Sequence, residues 1–459
     1  MLRVEVDRAA AQRPVFKRRS CTRLATIAAK TVEALAARPG LGYTSSAMDE
    51  RTLIHDWNVT GERLDPPPFR VQFDDETLRD GLQSPSVRSP AIDDKIRILH
   101  LIDSLGIDTA DIGLPGAGPH VVADVQRLAE EIARARLKVR ANCAARTLRQ
   151  DITPVIEISQ KTGVPIEVCT FIGSSPIRQY AENWTVETML KHTEDAVTYA
   201  VQHGLDVMYV TEDTVRAQPD TLRQLFLTAI RCGAKRLCLC DTVGHATPEG
   251  ARNLVRFAKQ VVLESGAGVE LDWHGHMDRG LGVINTIAAI SAGATRVHGC
   301  AIGIGERVGN TPMDQLLVNL KLMGWIDNDL SKLAEYCEWT SSTTGVPIPV
   351  NYPVVGRDAF RTGTGVHAAA VIKAYRKGED WLADRVYSGV PASMVGRQQA
   401  IEVGPMSGES NVIFWLERHG FEVSPERVQA VFQRAKSVDR VLEDGEIRAV
   451  LAALDETRV

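Results

Sequence analysis

From Arg70 onward the chain alternates between two patterns. Short β-branched or apolar runs, each closing in polar or glycine residues, predict strands at 71–75 (VQFDD), 107–113 (IDTADIG), 137–143 (LKVRANC), 165–171 (PIEVCTF), 206–212 (DVMYVTE), 236–242 (RLCLCDT), 269–276 (VELDWHGH) and 296–303 (RVHGCAIG). Between them lie segments such as DDKIRILHLIDSLG and PDTLRQLFLTAIRCGA, with apolar residues at i, i+3, i+4 and i+7 and a glycine stop. That is the period of helices burying one face. In ATPEGARNLVRFAKQVV, Thr247 is placed to cap a helix and Pro248 to occupy its first turn.

Eight β-then-α repeats over about 250 residues predict an α/β fold, a (β/α)8 TIM barrel. An open doubly wound sheet, which has fewer repeats, is the second choice. The barrel is expected at 67–330, followed at 331–459 by a small, mainly helical C-terminal subdomain region with no separate regulatory domain. Residues 1–66 read as an N-terminal extension, disordered in its first 47 residues. Nine Lys/Arg stand against three acids up to Arg38 without an apolar h-region, so this is not a secretory signal. Met48 offers a second start, and the extension is expected to be dispensable.

Composition removes several classes of function. With Lys+Arg 53 against Asp+Glu 58, a net charge of -5 gives no global basic field for nucleic acid or an anionic membrane. No apolar run approaches the roughly 20 residues of a membrane-spanning helix. A soluble, cytoplasmic chain is expected, and its eight cysteines, without a CxxC pair, suit reduced thiols. Cys238 and Cys240 have the look of a zinc half-site, but they share one strand face beside no other ligand and read as core packing.

A barrel places its chemistry where strands end, and polar residues gather there. Strand 1 closes in Arg79 and Asp80, strand 2 in Asp111, strand 5 in Glu212 and Asp213, strand 6 in Asp241 and Thr242, and strand 7 in His274 and His276. Strand 3 leads to Arg146 and strand 8 into GIGERVGN. His274 and His276 point to the same side, about 6–7 Å apart along the strand, as two ligands of one ion or as hydrogen-bonded core histidines. Strands 1, 7 and 8 are neighbours in a closed barrel, so Asp80 can complete a carboxylate and two-imidazole set for Zn, Mn, Co or Mg. The crowded acids of DETLRDG are either a solvated cluster or, with Arg79 beside Asp80, a grip on an anionic substrate.

DETLRDGLQSP, TEDTVR, DTVG, HGHMDRGLGVINTIAAISAGA and GIGERVGN resemble, in order and spacing, the family containing 2-isopropylmalate, homocitrate and citramalate synthases and the related acyl-CoA lyases, from about Phe69 to Arg440. The resemblance implies that Asp80, His274 and His276 bind a divalent metal (Mg, Mn, Zn or Co) with Asn310 in the same sphere, and that Arg79 stabilises an enolate oxygen. It places Glu212 and Thr242 at the 2-oxo acid and makes Arg146 and Arg216 recurrent arginines, Arg146 as a substrate-binding candidate. VGRDAFRTGTGVHAAAVIKA and VYSGVPASMVGR are similar to the post-barrel segments of the synthases, with His367 on the general base and Tyr387 beside it.

The implied activity is a Claisen condensation of acetyl-CoA with a 2-oxo acid. The leading substrate is 3-methyl-2-oxobutanoate, giving 2-isopropylmalate on the route to leucine. Homocitrate or citramalate formation is the alternative, and a metal-dependent acyl-CoA lyase, suggested by Gly299-Cys300, is the rival of another class. A barrel retaining its metal only as a scaffold is the non-enzymatic rival. A homodimer is expected, the post-barrel region of one chain covering the partner's site, with small molecules rather than nucleic acid or membrane as ligands. Met277, Val210 and Asp111 depart from the Asn, Ser and Glu usual at their places, and Val210 bears on the choice of 2-oxo acid.

Overall fold

The computed structural model describes residues 53–61 and 63–456. The chain divides into two units, Met1–Gly61 and Glu62–Val459. In the first, the described residues form one 3-10 turn, Trp57–Val59, capped by Asp56. The expectation for residues 1–47 lies outside the described residues.

The second unit contains the predicted barrel. Eight parallel strands, β1 (Gln72–Asp75), β2 (Thr109–Asp111), β3 (Arg140–Arg146), β4 (Ile166–Gly173), β5 (Val207–Glu212), β6 (Arg236–Asp241), β7 (Glu270–Gly275) and β8 (Arg296–Gly299), pair in sequence order, and β8 closes on β1. The helices between them are α1 (Ile92–Ser104), α2 (Pro119–Ala135), α3 (Arg149–Thr162), α4 (Pro176–Glu182), α5 (Val186–Gln202), α6 (Pro219–Arg231), α7 (Pro248–Ser265) and α8 (Gly282–Ala292). α7 starts as predicted: Thr247 accepts from the Gly250 N–H and Pro248 takes the first turn.

Three strands differ most from the sequence reading, and the first, β2, is confined to Thr109–Asp111 where 107–113 was expected. β3 lies three residues later than expected, because small residues (Ala141, Ala144, Ala145) rather than branched ones fill its inward and outward faces. β8 stops at Gly299, where Cys300 turns to bond Thr311 and the chain enters a 3-10 turn at Ala301–Gly303.

After the barrel come α9 (Met313–Leu322), α10 (Leu333–Thr344), α11 (Gly365–Arg376), α12 (Asp380–Arg385), α13 (Glu409–Arg418), α14 (Pro425–Lys436) and α15 (Asp444–Glu456), with a two-stranded pair Arg361–Thr362 and Ala400–Ile401. α10 shares the barrel's hydrophobic core and its Tyr336 hydroxyl donates to Asp75. The last three helices have a core of their own, built on Val412, Trp415, Leu416, Val431 and Leu451. A mainly helical region follows the barrel, as expected.

The lower interior of the barrel is ionic where branched apolar side chains are usual. Asp272 on β7 accepts from Arg236 Nε and Arg296 Nε, both at 2.6 Å, and Arg296 also reaches Glu167 at 2.6 Å. Burial disfavours the Asp272 charge, but Arg296 and Arg236 outweigh it and hold the carboxyl well below its usual range. Removing the acid leaves two buried guanidinium groups without their shared acceptor. Asp272→Ala is expected to lower stability by about 3–5 kcal/mol, read as a lower urea midpoint at unchanged slope.

Candidate active site

The strands deliver their terminal side chains to one cavity of about 230 Å³ at the C-terminal mouth of the barrel. Arg79, Asp80, Glu212, Thr242, His274 and His276 all line it. β1 ends at Asp75, the Glu76 N–H bonds to Gly299 on β8, and a 3-10 turn at Asp80–Gln83 carries Asp80 inward.

His274 and His276 are brought together by the strand alternation: their Nε2 atoms lie 3.2 Å apart, and Asp80 Oδ2 is 3.5 Å and 3.8 Å from them. Asn310 reaches the same point through an antiparallel bridge to His276. The loop that carries it requires glycine at 309, with φ +94°, where a Cβ would sit 1.7 Å from the Gly303 carbonyl oxygen. Arg307 ties this loop to its neighbours, donating to Asp278 at 2.8 and 3.0 Å and to the Thr242 carbonyl at 2.5 Å.

These residues fit a divalent cation. Asp80 Oδ1 and Asn310 Oδ1 are buried without a hydrogen-bond partner, a cost of about 1–3 kcal/mol each unless something satisfies them. Three donors separated by 3.2–3.8 Å suit an ion bound at about 2.1 Å. Their protonation also suits it. Burial raises the Asp80 carboxyl, but Arg79, His274 and His276 outweigh it and bring it to about 2. Burial, then His274, lowers His276 to about 4, and burial lowers His274 as well.

Arg79 lies among three acids. Its Nη2 donates to Glu76 Oε2, its Nε to Asp111 at 2.9 Å, and its Nη1 is 3.4 Å from Asp80. Burial opposes the charge, but Asp111 and Asp80 outweigh it and hold the guanidinium protonated. Asp111 itself is pushed up to about 6 by burial. Burial likewise raises Glu212, which faces Arg178 at 3.4 Å.

The opposite wall is apolar and rich in sulfur: Ala144, Cys169, Phe171, Met208, Val210 and Cys238. Cys238 and Cys240, expected to be core packing beside no other ligand, stand 3.8 Å apart on this wall, Cys240 in register with His274. At this height the barrel's inward face is the cavity floor, and both cysteines pack there in a buried hydrophobic cluster with Cys169 and Met208, as the core reading expected.

Other candidates lie elsewhere. Arg146 does not line the cavity; it is half-exposed and clasps Asp151 at 2.7 and 2.9 Å. Arg216 is held by Asp213 at 2.7 Å. His367 and Tyr387 stack on each other with ring centroids 4.0 Å apart, and neither lines the cavity. Cys300 is fully buried and does not line it either.

Two participants were missed. Glu76 read as part of a solvated acidic run, yet it is 2 % exposed and its Oε1 accepts from His274 Nδ1 at 2.9 Å and His298 Nδ1 at 2.6 Å. His298 was passed over in RVHGC. Period-two alternation from Arg296 places it on the inward face, and that signal was available.

At neutral pH Asp80 and His276 are already deprotonated. Ion binding therefore displaces no proton from either between pH 6 and 8, and because burial lowers His274 in the same direction, affinity declines only on the acid side of the ordinary imidazole range. Competition titrations with Co2+ or Zn2+ against a chelator should show this flat profile. Asp80→Ala is expected to weaken binding beyond the roughly 10–100-fold that loss of an outer partner costs.

The HMGL-like family model matches residues 70–339. The chain is 33% identical over 393 residues to the homocitrate synthase AksA of Methanopyrus kandleri, covering 85% of this chain and 92% of that one. It is also 33% identical over 374 residues to a protein of the same organism named "Probable 2-isopropylmalate synthase", covering 81% and 70%. Among solved structures, the HMG-CoA lyase of Bacillus subtilis superposes with a TM-score of 0.51 at 22% identity, over 62% of this chain and 98% of that one, which shows a shared fold.

Proposed function

The chain belongs to the HMGL-like family, and from that premise we propose that it is an acyltransferase condensing acetyl-CoA with 3-methyl-2-oxobutanoate to give 2-isopropylmalate and CoA. The relatives named as synthases support acetyl-CoA and a 2-oxo acid as substrates; their differing names leave the oxo acid to the cavity itself. The observation that carries the choice is the division of the lining. One side holds the polar cluster, and the other presents Cys169, Phe171, Met208, Val210 and Cys238. Arg79 is the sole arginine or lysine among the described lining residues, and three acids already engage it. A second substrate carboxylate, as in 2-oxoglutarate, would meet no cation, whereas an isopropyl group meets apolar surface.

In this reading Asp80, His274, His276 and Asn310 would hold a divalent ion, which when bound supplies Lewis acidity to the keto carbonyl. Arg79 faces the same space, where its guanidinium stabilises negative charge on the thioester oxygen as the acetyl methyl loses its proton. His367, stacked on Tyr387, takes that proton. The methyl carbon bonds to the keto carbon, whose oxygen becomes a hydroxyl, and water cleaves the thioester to release CoA. Since neither His367 nor Tyr387 lines the cavity of its own chain, the base comes from a second copy. The functional unit is then a homodimer, with residues 67–330 as catalytic domain and 331–459 as the region lent to the partner. A soluble cytoplasmic enzyme of leucine biosynthesis fits this reading.

The test is thiol release from acetyl-CoA with a panel of 2-oxo acids, with and without chelator. The expected result is chelator-sensitive turnover with 3-methyl-2-oxobutanoate, and kcat/KM lower by on the order of 100-fold with 2-oxoglutarate. Equal or better turnover of 2-oxoglutarate or pyruvate would move the assignment to a homocitrate or citramalate synthase. In the same assay, Asp80→Ala and His367→Ala, each inactive alone, should regain about a quarter of full activity on mixing if the base acts across a two-fold dimer.

A further inference from the structure

Within the His274–His276 pair only one ring is anchored from behind. His276 Nδ1 is buried without a partner, whereas His274 Nδ1 donates to Glu76 Oε1 at 2.9 Å. That bond fixes the tautomer: with the proton on Nδ1, the lone pair of Nε2 faces Asp80 and His276. The carboxylate that receives it is itself held. Its Oε1 also takes His298 Nδ1 at 2.6 Å, and its Oε2 takes Arg79.

The connection continues inward through groups with no room to rotate. His298, 2 % exposed, has its Nε2 3.0 Å from Asp272 Oδ2, and Asp272 is gripped by Arg236 and Arg296. His274 and His298 meet edge to face, their ring planes at 87°. An ionic column thus runs from the middle of the barrel to the back of one imidazole at its mouth.

We infer that Glu76 and His298 are positioning residues for the ion site: Glu76 sets the orientation of the His274 ring, and His298, braced by Asp272, sets Glu76. This rests on the reading of Asp80, His274 and His276 as ligands of a divalent ion. Because the same carboxylate holds Arg79, it also fixes the guanidinium relative to the ion. The hydrogen-bond route from His298 to His274 runs through Glu76, so in orienting the ring the two side chains form a series. The competing arrangement is a second ion held directly by Glu76, His274 and His298, whose donor atoms all lie within 4.8 Å of one another.

The full chain is compared with Glu76→Gln, His298→Gln and the double variant. Each is titrated with Co2+ against a competing chelator, recording ion stoichiometry, the visible absorption of bound Co2+ and the thermal midpoint of the ion-free protein. Glu76→Gln is expected to weaken Co2+ binding roughly 10–100-fold and to shift the absorption bands. His298→Gln should weaken it by a smaller factor. The double variant should match Glu76→Gln within about threefold, the non-additivity of residues acting in series, with one ion per chain throughout.

Three results would overturn the inference while leaving the ligand reading standing. One is Co2+ affinity in Glu76→Gln within about twofold of the unsubstituted chain while its thermal midpoint falls, which is a structural role alone. Another is multiplication of the two losses in the double variant. The third is two ions per chain with one lost in His298→Gln. Should His298→Gln fail to fold, Glu76→Gln alone decides. An unsubstituted chain that binds no Co2+ overturns the ligand reading and this inference with it, whereas unchanged binding in Glu76→Gln overturns only the latter.

Discussion

The polar end of this barrel depends on pairing buried charges that could not stand alone. Asp80, Asp111 and Glu76 are almost wholly removed from water, and an isolated carboxylate there would neutralise or destabilise the fold. Arg79 touches all three. Glu76 then extends the pairing to His274 and His298, and through Asp272 to Arg236 and Arg296. The result is a continuous ionic framework in which each group's charge state depends on its neighbours. Two acceptor atoms at its upper end, on Asp80 and Asn310, are left over, and together with the Nε2 atoms of His274 and His276 they suit a cation.

The rest of the cavity follows from strand alternation. At the cavity, inward positions on the side of β1, β7 and β8 are charged or imidazole, while Ala144, Cys169, Met208, Val210 and Cys238 on β3 to β6 are small, sulfur-bearing or apolar, with Glu212 at the end of β5 the exception. A ligand with a chelating head and an apolar tail matches that polarity. Cysteine and methionine give a wall that is apolar yet soft, able to adapt to a branched tail. No helix among the described residues is long and apolar enough to cross a membrane.

The barrel was legible because its signal repeats: eight apolar runs, helices with caps and glycine stops, and polar residues at each strand end. Asp80, His274 and His276 were legible because two-residue alternation and barrel closure bring β1 and β7 within one strand of each other. Glu76 was not, since an acid after a strand normally faces solvent, and only the two histidines converging on it from β7 and β8 reveal otherwise. The bridge from Asn310 to His276 depends on the path of a glycine loop that local pattern does not encode. Arg146 shows the converse: its strand-end position invites a role at the cavity, but Asp151, five residues on, turns it aside.

The most direct measurement of the central claim is a crystal structure of the chain grown with Mn2+ and 3-methyl-2-oxobutanoate, with the ion located by anomalous scattering. The account predicts one ion among Asp80, His274, His276 and Asn310, the carboxylate and keto oxygens of the acid beside it, and the isopropyl group against Cys169, Met208, Val210 and Cys238. An ion bound elsewhere, no ion at all, or an isopropyl group turned away from the sulfur-lined wall would contradict it.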